Sequence, residues 1–245
     1  MTMLDGKRIL ITGGAGGVGR AVAERMLAAG GRVLLSDRED AALRELAERL
    51  GSSGGEIATA TVELSDPAGP ARLFQRVDEW LGGLDILVAC AGVGSGPLSE
   101  MDDAGWRHVI DSNLVSYVAC TKGAVERIKA GGTREGMIIL VGSISVHIKA
   151  VGESVYNAAK GGVASFAETL RKELIPDGIR LTLIEPGAIA SSMQPFPPEE
   201  RQRMMEDNKL LPPAQVAEAI LFAATRPAGV DVVTLRIEPL DQKIY

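Results

Sequence analysis

Tyr156-Asn157-Ala158-Ala159-Lys160 sets a phenol and an ammonium four residues apart in a segment of helical periodicity, so both side chains share one helix face. A free phenol loses its proton at a pKa of about 10, too high for a base at neutral pH. A neighbouring positive charge favours the phenolate and moves it toward the working range. In its protonated form the same phenol can supply a proton to an oxygen that is gaining charge. By itself the pair is a weak signal, because the same spacing also describes an exposed pair on a helix surface.

A second group gives the first a context. Thr12-Gly13-Gly14-Ala15-Gly16-Gly17-Val18-Gly19 follows an apolar run and precedes a helical segment. Glycines there let the backbone turn tightly and approach a pyrophosphate, whose charge meets the free N–H groups of the helix start. Two spacings overlap: Gly14, Gly16 and Gly19 fit G-x-G-x-x-G, while Gly13, Gly17 and Gly19 fit T-G-x-x-x-G-x-G. Asp37 closes the second apolar run, where a carboxylate accepts hydrogen bonds from the adenosine ribose hydroxyls and repels a 2′-phosphate. Arg38 beside it is a guanidinium that could pair with that phosphate. The balance favours NAD, with NADP as the alternative.

Such groups need elements to hold them. Strands are predicted at Lys7–Thr12, Arg32–Ser36, Glu56–Val62, Leu84–Ala89, Met137–Val141, Ile179–Ile184 and Val230–Ile237. Helices are predicted at Ala21–Ala29, Asp40–Leu50, Pro67–Leu81, Trp106–Lys129, Val155–Leu174 and Pro213–Thr225. Apolar runs without polar alternation suit a parallel sheet covered on both faces, and strand–helix alternation gives right-handed crossovers in a doubly wound α/β fold. Ala188–Pro212, with four prolines and a charged centre, lacks periodicity and follows the sixth strand, where it is expected to act as a substrate lid.

Composition narrows the class. The chain has 245 residues, 46% hydrophobic and 24% charged, consistent with one large globular domain. Its formal charge is −6 with no long basic run, which argues against nucleic-acid binding. The apolar stretches around Ile86–Ala91 and Met137–Val141 are too short to span a bilayer, so no membrane partner is expected. Met1–Lys7 lacks leader architecture, and Cys90 and Cys120 sit in apolar surroundings as reduced core residues. These features predict a soluble, cytoplasmic, single-domain protein spanning residues 1–245.

The ordered motifs Thr12-Gly13-x-x-x-Gly17-x-Gly19, Asp37, Asp111-Ser112-Asn113-Leu114, Gly142-Ser143-Ile144-Ser145, Tyr156-x-x-x-Lys160 and Pro186-Gly187 carry a resemblance. On them the chain resembles the short-chain dehydrogenase/reductase family over almost its whole length, with Ser143 thirteen residues before Tyr156. The resemblance implies a Rossmann-type sheet of seven strands and an oxidoreductase that interconverts a secondary alcohol and a ketone by hydride transfer with NAD(H). It implies Tyr156 as proton donor and acceptor, Ser143 as the group polarising the substrate oxygen, and Lys160 as holder of the nicotinamide ribose that also tunes Tyr156. Asn113 would interrupt the long helix and position a water linking Lys160 to solvent. Ala91-Gly92 would allow close cofactor approach, and Pro186, Gly187, Ile189 and Ser191 would hold the carboxamide end. Val18 belongs to the phosphate-binding turn, and Glu63 and Leu64 lie where the family places an aspartate near the adenine. Homodimers or homotetramers built on the two long helices are implied as well, with small residues Ala158, Ala159, Gly161 and Gly162 permitting close packing.

Departures are visible too. Ala89-Cys90-Ala91-Gly92 stands for the family's Asn-Asn-Ala-Gly, so two asparagine side chains are missing. The tail lacks Val-Asp-Gly-Gly and instead matches a branch ending in Pro-x-x-Gln, through Pro239 and Gln242. Ser145, His147 and Met193 are candidate substrate contacts, together with Val151 and Glu153. An exposed loop position is the alternative for His147, and a solvated surface is expected for Asp102-Asp103 and Glu199-Glu200. A serine hydrolase is disfavoured because Gly142-Ser143-Ile144-Ser145-Val146 lacks the final glycine of G-x-S-x-G. No metal is expected, since two histidines and two cysteines show no ligand spacing. An NADP-dependent carbonyl reductase and a dinucleotide-binding regulator without turnover are the competing functions.

Overall fold

The computed structural model describes residues 3–133 and 135–242, so Met1 and Thr2 of the stretch expected to carry no leader lie outside it. The strands are β1 (Arg8–Thr12), β2 (Arg32–Asp37), β3 (Ile57–Thr61), β4 (Ile86–Ala89), β5 (Met137–Val141), β6 (Arg180–Pro186) and β7 (Thr234–Ile237). They form one seven-stranded parallel sheet in the order β3-β2-β1-β4-β5-β6-β7. The helices are α1 (Gly17–Ala28), α2 (Asp40–Gly51), α3 (Gly69–Trp80), α4 (Asp103–Ile110), α5 (Ser116–Ala130), α6 (Ser145–Ile148), α7 (Ser154–Leu174), α8 (Pro198–Glu206) and α9 (Pro213–Ala224).

Successive residues of a strand point to opposite faces, and here both faces are apolar. Ile9, Ile11, Ile86, Val88 and Ile139 pack with Val22, Met26, Leu43, Leu46, Val216 and Ile220 of α1, α2 and α9. Leu10, Leu87, Ile138 and Leu140 pack with Leu73, Phe74, Cys120, Ala124, Val163 and Ala167 of α3, α5 and α7. This is a Rossmann-like three-layer arrangement with helices on both sides of the sheet. Full burial of each such Leu, Ile, Val or Phe contributes about 1.5–3 kcal/mol.

The chain leaves β1 toward β2 and β3, then returns to β4 on the other side of β1. That reversal opens a crevice at the carboxyl ends of β1 and β4, the position where doubly wound sheets bind ligands.

Two of the expected elements need correction. The predicted helix Trp106–Lys129 starts earlier, at Asp103, and the interruption expected at Asn113 is a π-turn at Asp111–Val115 that separates α4 from α5. Asp102 and Asp103 lie on the solvated surface as expected, and the Asp102 carboxylate also caps α4, accepting from Gly105 N at 2.7 Å. Asp103 accepts from Trp106 Nε1 at 3.1 Å. The stretch Ala188–Pro212 contains a helix, α8, which begins with Pro198 and carries Glu199 and Glu200 in its first turn, where acids favour a helix start. Both ends of this stretch are tied down, by an Ile189–Leu211 bridge and by Arg201 Nη1 donating to Ser191 O at 2.7 Å.

At the opposite end of the sheet, Asp85 accepts from Arg8 N, Nε and Nη2, each at 2.9 Å. Burial pushes the Asp85 carboxyl up, but the Arg8 hydrogen bonds outweigh it and hold the carboxyl below its ordinary range. A depressed carboxyl stabilises the fold above its unfolded pKa and loses that contribution as pH falls through the folded pKa. Asp85→Asn should therefore lower stability by about 2 kcal/mol at neutral pH. In urea titrations the gap to wild type should narrow below about pH 4.

Candidate active site

The crevice is a cleft of ≈ 1140 Å³, larger than most small-ligand pockets. Apart from Gly14 in the turn and His147, the candidate catalytic, cofactor and substrate residues named above line it. The reason is topological, since each lies just beyond the carboxyl end of a strand or on a helix facing that edge. His147 instead turns its ring to Glu185, with Nε2 3.1 Å from Oε2. The ring is exposed and does not line the cleft, which is the exposed position given above as the alternative to a substrate contact.

At one end, β1 runs into the glycine turn. Gly13 has φ +69°, and a Cβ there would lie 2.7 Å from Ala91 N, so any side chain would push the turn away from β4. A Cβ on Gly19 would collide with the Gly13 carbonyl and with Gly14 Cα. Gly19 is shared by both spacings, so the demand at Gly13 is what singles out T-G-x-x-x-G-x-G. No side chain caps α1, whose first-turn N–H groups face the cleft as a ready anion site.

Asp37 sits at the end of β2 and is fixed by backbone donors: Ala15 N to Oδ2 at 3.0 Å, and Arg38 N and Glu39 N to Oδ1 at 2.8 and 3.2 Å. The Arg38 guanidinium lies between two carboxylates, 3.4 Å from Glu39 and 3.6 Å from Glu63. Glu63 also accepts from Ser65 N and Oγ at 3.0 and 2.8 Å. Burial pushes Glu63 up, and the Ser65 hydrogen bonds with the Arg38 charge bring it below its usual range.

At the other end, β5 delivers Ser143 and α7 delivers Tyr156 and Lys160. The Ser143 hydroxyl is hydrogen-bonded to the Tyr156 phenol, and its Oγ also accepts from Ser145 N at 3.1 Å. Lys160 is buried, with Nζ donating to Tyr117 OH at 3.1 Å and to Val141 O at 2.9 Å. Tyr117 OH in turn donates to Val141 O at 3.0 Å. Asn113, in the π-turn, uses its whole side chain on backbone: Nδ2 donates to Val93 O and Val109 O at 2.9 Å, and Oδ1 accepts from Val93 N at 3.3 Å. The interruption of the long helix expected at Asn113 is present, and its effect is to pin the segment after β4.

The electrostatics differ from expectation. Burial pushes the Tyr156 phenol above its ordinary value; the Ser143 hydrogen bond opposes this, and the Glu153 charge adds to it. Lys160 does not provide the anticipated downward pull, because its Nζ is engaged by Tyr117 and lies 5.9 Å from the centroid of the Tyr156 ring. Burial brings Lys160 itself down to about 7. A lysine with a depressed pKa burdens the fold fully below that value, and the burden fades as pH rises toward the unfolded pKa of about 10.4. Lys160→Met should therefore raise the unfolding midpoint of the unliganded protein at pH 7. That gain should shrink between about pH 7 and 10 in denaturant titrations across pH.

Sequence reasoning missed Tyr117 and placed Gln242 only in a tail motif, without a contact. Tyr117 reads as one more apolar position of α5 and is fully buried. Gln242 Oε1 accepts from Ala188 N at 2.8 Å, which joins the tail to the segment after β6 and gives the Pro239–Gln242 motif a physical meaning. Among the described residues, no three His, Cys, Asp or Glu side chains form a metal-binding group, and no helix is long and apolar enough to cross a membrane.

A doubly wound parallel sheet with a glycine turn at its switch point, an acid ending β2, and a Ser–Tyr–Lys group at the far end of one cleft defines a dinucleotide-dependent oxidoreductase class. The family profile described as short chain dehydrogenase matches residues 7–202, and the chain belongs to that family, whose members use NAD(P)(H). The chain is 32% identical to cis-4-hydroxycyclohexanecarboxylate dehydrogenase of Sinomonas cyclohexanicum, over 90% of this chain and 90% of that protein. It is 29% identical to the vibriobactin-specific 2,3-dihydro-2,3-dihydroxybenzoate dehydrogenase of Vibrio cholerae serotype O1, over 94% and 92%. Among solved structures, a single-residue variant of actinorhodin polyketide ketoreductase with NADPH superposes with a TM-score of 0.86 at 26% identity, covering 98% of each chain.

Proposed function

We propose that this protein is an NAD(H)-linked dehydrogenase/reductase that interconverts a secondary alcohol and a ketone. One observation carries the reading: a half-buried phenol hydrogen-bonded to Ser143, one helical turn from Lys160, shares a cleft with the glycine turn and Asp37. Asp37 would accept from the adenosine ribose, the α1 N-terminus would meet the pyrophosphate, and Lys160 would hold the second ribose. Gly92 leaves room for close approach, since a Cβ there would lie 3.7 Å from Lys160 Nζ and 2.6 Å from Asn113 Oδ1. Pro186, Gly187, Ile189 and Ser191 would hold the carboxamide end.

The nicotinamide, when bound, supplies or accepts the hydride. Ser143 would orient the substrate oxygen by hydrogen bonding. Tyr156 would take the hydroxyl proton during oxidation and return it during reduction. An oxidised ring's positive charge would provide the downward pull on the phenol that the Lys160 geometry alone does not. NAD is preferred over NADP because the Asp37 carboxylate opposes a 2′-phosphate while Arg38 is already flanked by Glu39 and Glu63. The segment Ala188–Pro212 would close over substrate. Ala158 and Gly161 lie open on α7, a surface suited to close helix packing in a homodimer or homotetramer.

Titration with NADH and NADPH, followed through quenching of Trp80 and Trp106, tests the first half of the reading. NADH should bind about tenfold tighter or better, and NAD should then support oxidation within a panel of secondary alcohols. Failure to bind either dinucleotide would sink the enzyme reading.

A further inference from the structure

Ser145 and Glu153 remain unexplained by the chemistry at Ser143, Tyr156 and Lys160. Ser145 is 6% exposed and lines the cleft, yet its Oγ has no hydrogen-bond partner among the described residues. A buried hydroxyl left in that state costs about 1–3 kcal/mol unless a ligand satisfies it. Glu153 precedes α7 at the mouth of the same end, and none of the described residues reaches its carboxylate with a hydrogen bond or ion pair. Its charge is nevertheless close enough to the phenol to push Tyr156 up, and partial burial pushes the Glu153 carboxyl up as well.

The distribution of charge around the cleft gives these two groups their meaning. Arg38 and Lys160 are the cationic side chains among the residues that line it. Arg38 stands at the adenosine end between two acids, and Lys160 is buried against Tyr117 and the backbone of β5. Among the lining residues no cation is left at the substrate end to receive a carboxylate or phosphate, whereas Glu153 lines it as an acceptor; Arg201 stands behind that lining with Nη1 committed to Ser191 O at 2.7 Å. Val93, Pro97, Ile148 and Met193 supply the apolar remainder of that end.

We infer that the substrate end of the cleft takes a neutral or cationic alcohol carrying a second O–H or N–H donor, received by Glu153 and Ser145, and turns away substrates that carry a carboxylate. This rests on the dehydrogenase reading above for the reacting carbinol at Tyr156, while the selectivity itself follows from the unpartnered acceptor and the missing cation. Discrimination of this kind is strong because a misfit leaves a buried polar group unpaired or sets like charges together.

The test uses the NADH-loaded protein, in which alcohols bind without reacting, at about pH 8, well above the ordinary carboxyl range. Binding of cyclohexanol, cis-1,2-cyclohexanediol, 2-aminocyclohexanol and 2-hydroxycyclohexanecarboxylate is measured by ligand-observed NMR. The diol and the amino alcohol should bind about tenfold tighter than cyclohexanol, and the carboxylate about tenfold weaker. Glu153→Gln should remove most of the amino alcohol's advantage and bring the carboxylate to within about threefold of cyclohexanol. Ser145→Ala should weaken the diol several-fold and leave the carboxylate unchanged. A wild-type protein that binds the carboxylate as well as the diol, preferences that neither variant moves, or a cleft that binds none of the four overturns the inference. Turnover of the same compounds with NAD is read separately. Preferential binding of the donors without any turnover would support the inferred selectivity while defeating the dehydrogenase reading.

Discussion

Tyr156→Phe should reduce turnover by about 10²–10⁴-fold while leaving the dissociation constant for NADH within about twofold of wild type. The asymmetry follows from what the substitution removes. Phenylalanine keeps the ring that lies 5.9 Å from Lys160 Nζ, so the packing of α7 survives. It deletes the oxygen that hydrogen-bonds Ser143 and would carry the proton. Ser143 Oγ is not orphaned by the change, because it still accepts from Ser145 N at 3.1 Å. The loss would then report chemistry and not collapse of the site. The pH dependence gives an independent readout. A phenol pushed above its ordinary value is mostly protonated at neutral pH, so alcohol oxidation should accelerate as pH rises and ketone reduction should favour lower pH. Both slopes should disappear from the residual activity of Tyr156→Phe. Retention of full turnover and an unchanged pH profile would show that the proton moves by another route.

The sheet was legible because its strands are short runs of Ile, Leu and Val buried on both faces, a pattern that parallel crossovers require. Boundaries were less so where local propensity and tertiary context disagree. Helix α1 begins at Gly17, four residues before the predicted Ala21, because a first turn built of glycine has poor propensity but is held by the packing of Gly19 against the Gly13 carbonyl. The π-turn at Asp111–Val115 has no periodic signature of its own, since inserting one residue into a helix leaves both flanking stretches amphipathic. Helix α8 carries no apolar stripe and has no buried residue, so periodicity could not reveal it.

The site divides in the same way. Groups that sit at fixed distances from strand ends, such as Gly13, Asp37 and Ser143, could be placed from sequence because the fold brings all strand ends to one edge. Side-chain direction could not be read. The place of His147 after Ser143 allows either a substrate contact or an exposed position, and only the structure shows the ring exposed and beside Glu185. Tyr117 was indistinguishable from core, yet it receives the Lys160 ammonium and so alters how that lysine acts on Tyr156. A tyrosine within a buried helical stripe, facing the strand that leads to Ser143, is the signal that could have prompted the question.

Asp37→Ser should shift the ratio of NADPH to NADH affinity by about 10² toward NADPH. Asp37 is held at the end of β2 by three backbone N–H groups, from Ala15, Arg38 and Glu39, an arrangement that hydrogen-bonds the ionised carboxylate in place. Two like charges about 4 Å apart repel by about 4 kcal/mol at the effective dielectric of a protein surface, so a fixed carboxylate opposes a ribose 2′-phosphate strongly. Serine removes that charge but keeps a hydroxyl for the ribose, so NADH affinity should fall by no more than about tenfold. Arg38 then decides how far the preference moves. In the wild type its guanidinium is shared between Glu39 at 3.4 Å and Glu63 at 3.6 Å. Adding Glu63→Gln to Asp37→Ser removes one of those partners and should strengthen NADPH binding further, with the additional gain fading at high salt because the pair is exposed. Asp37 also ties the glycine turn to β2 through Ala15, so thermal midpoints recorded with saturating NADH separate a local change of selectivity from a loosened turn. If wild type itself binds NADPH more tightly, Arg38 outweighs Asp37 despite its two acidic neighbours. The protein would then resemble, in cofactor choice, the ketoreductase solved with NADPH, and the role proposed for Tyr156 would be unaffected.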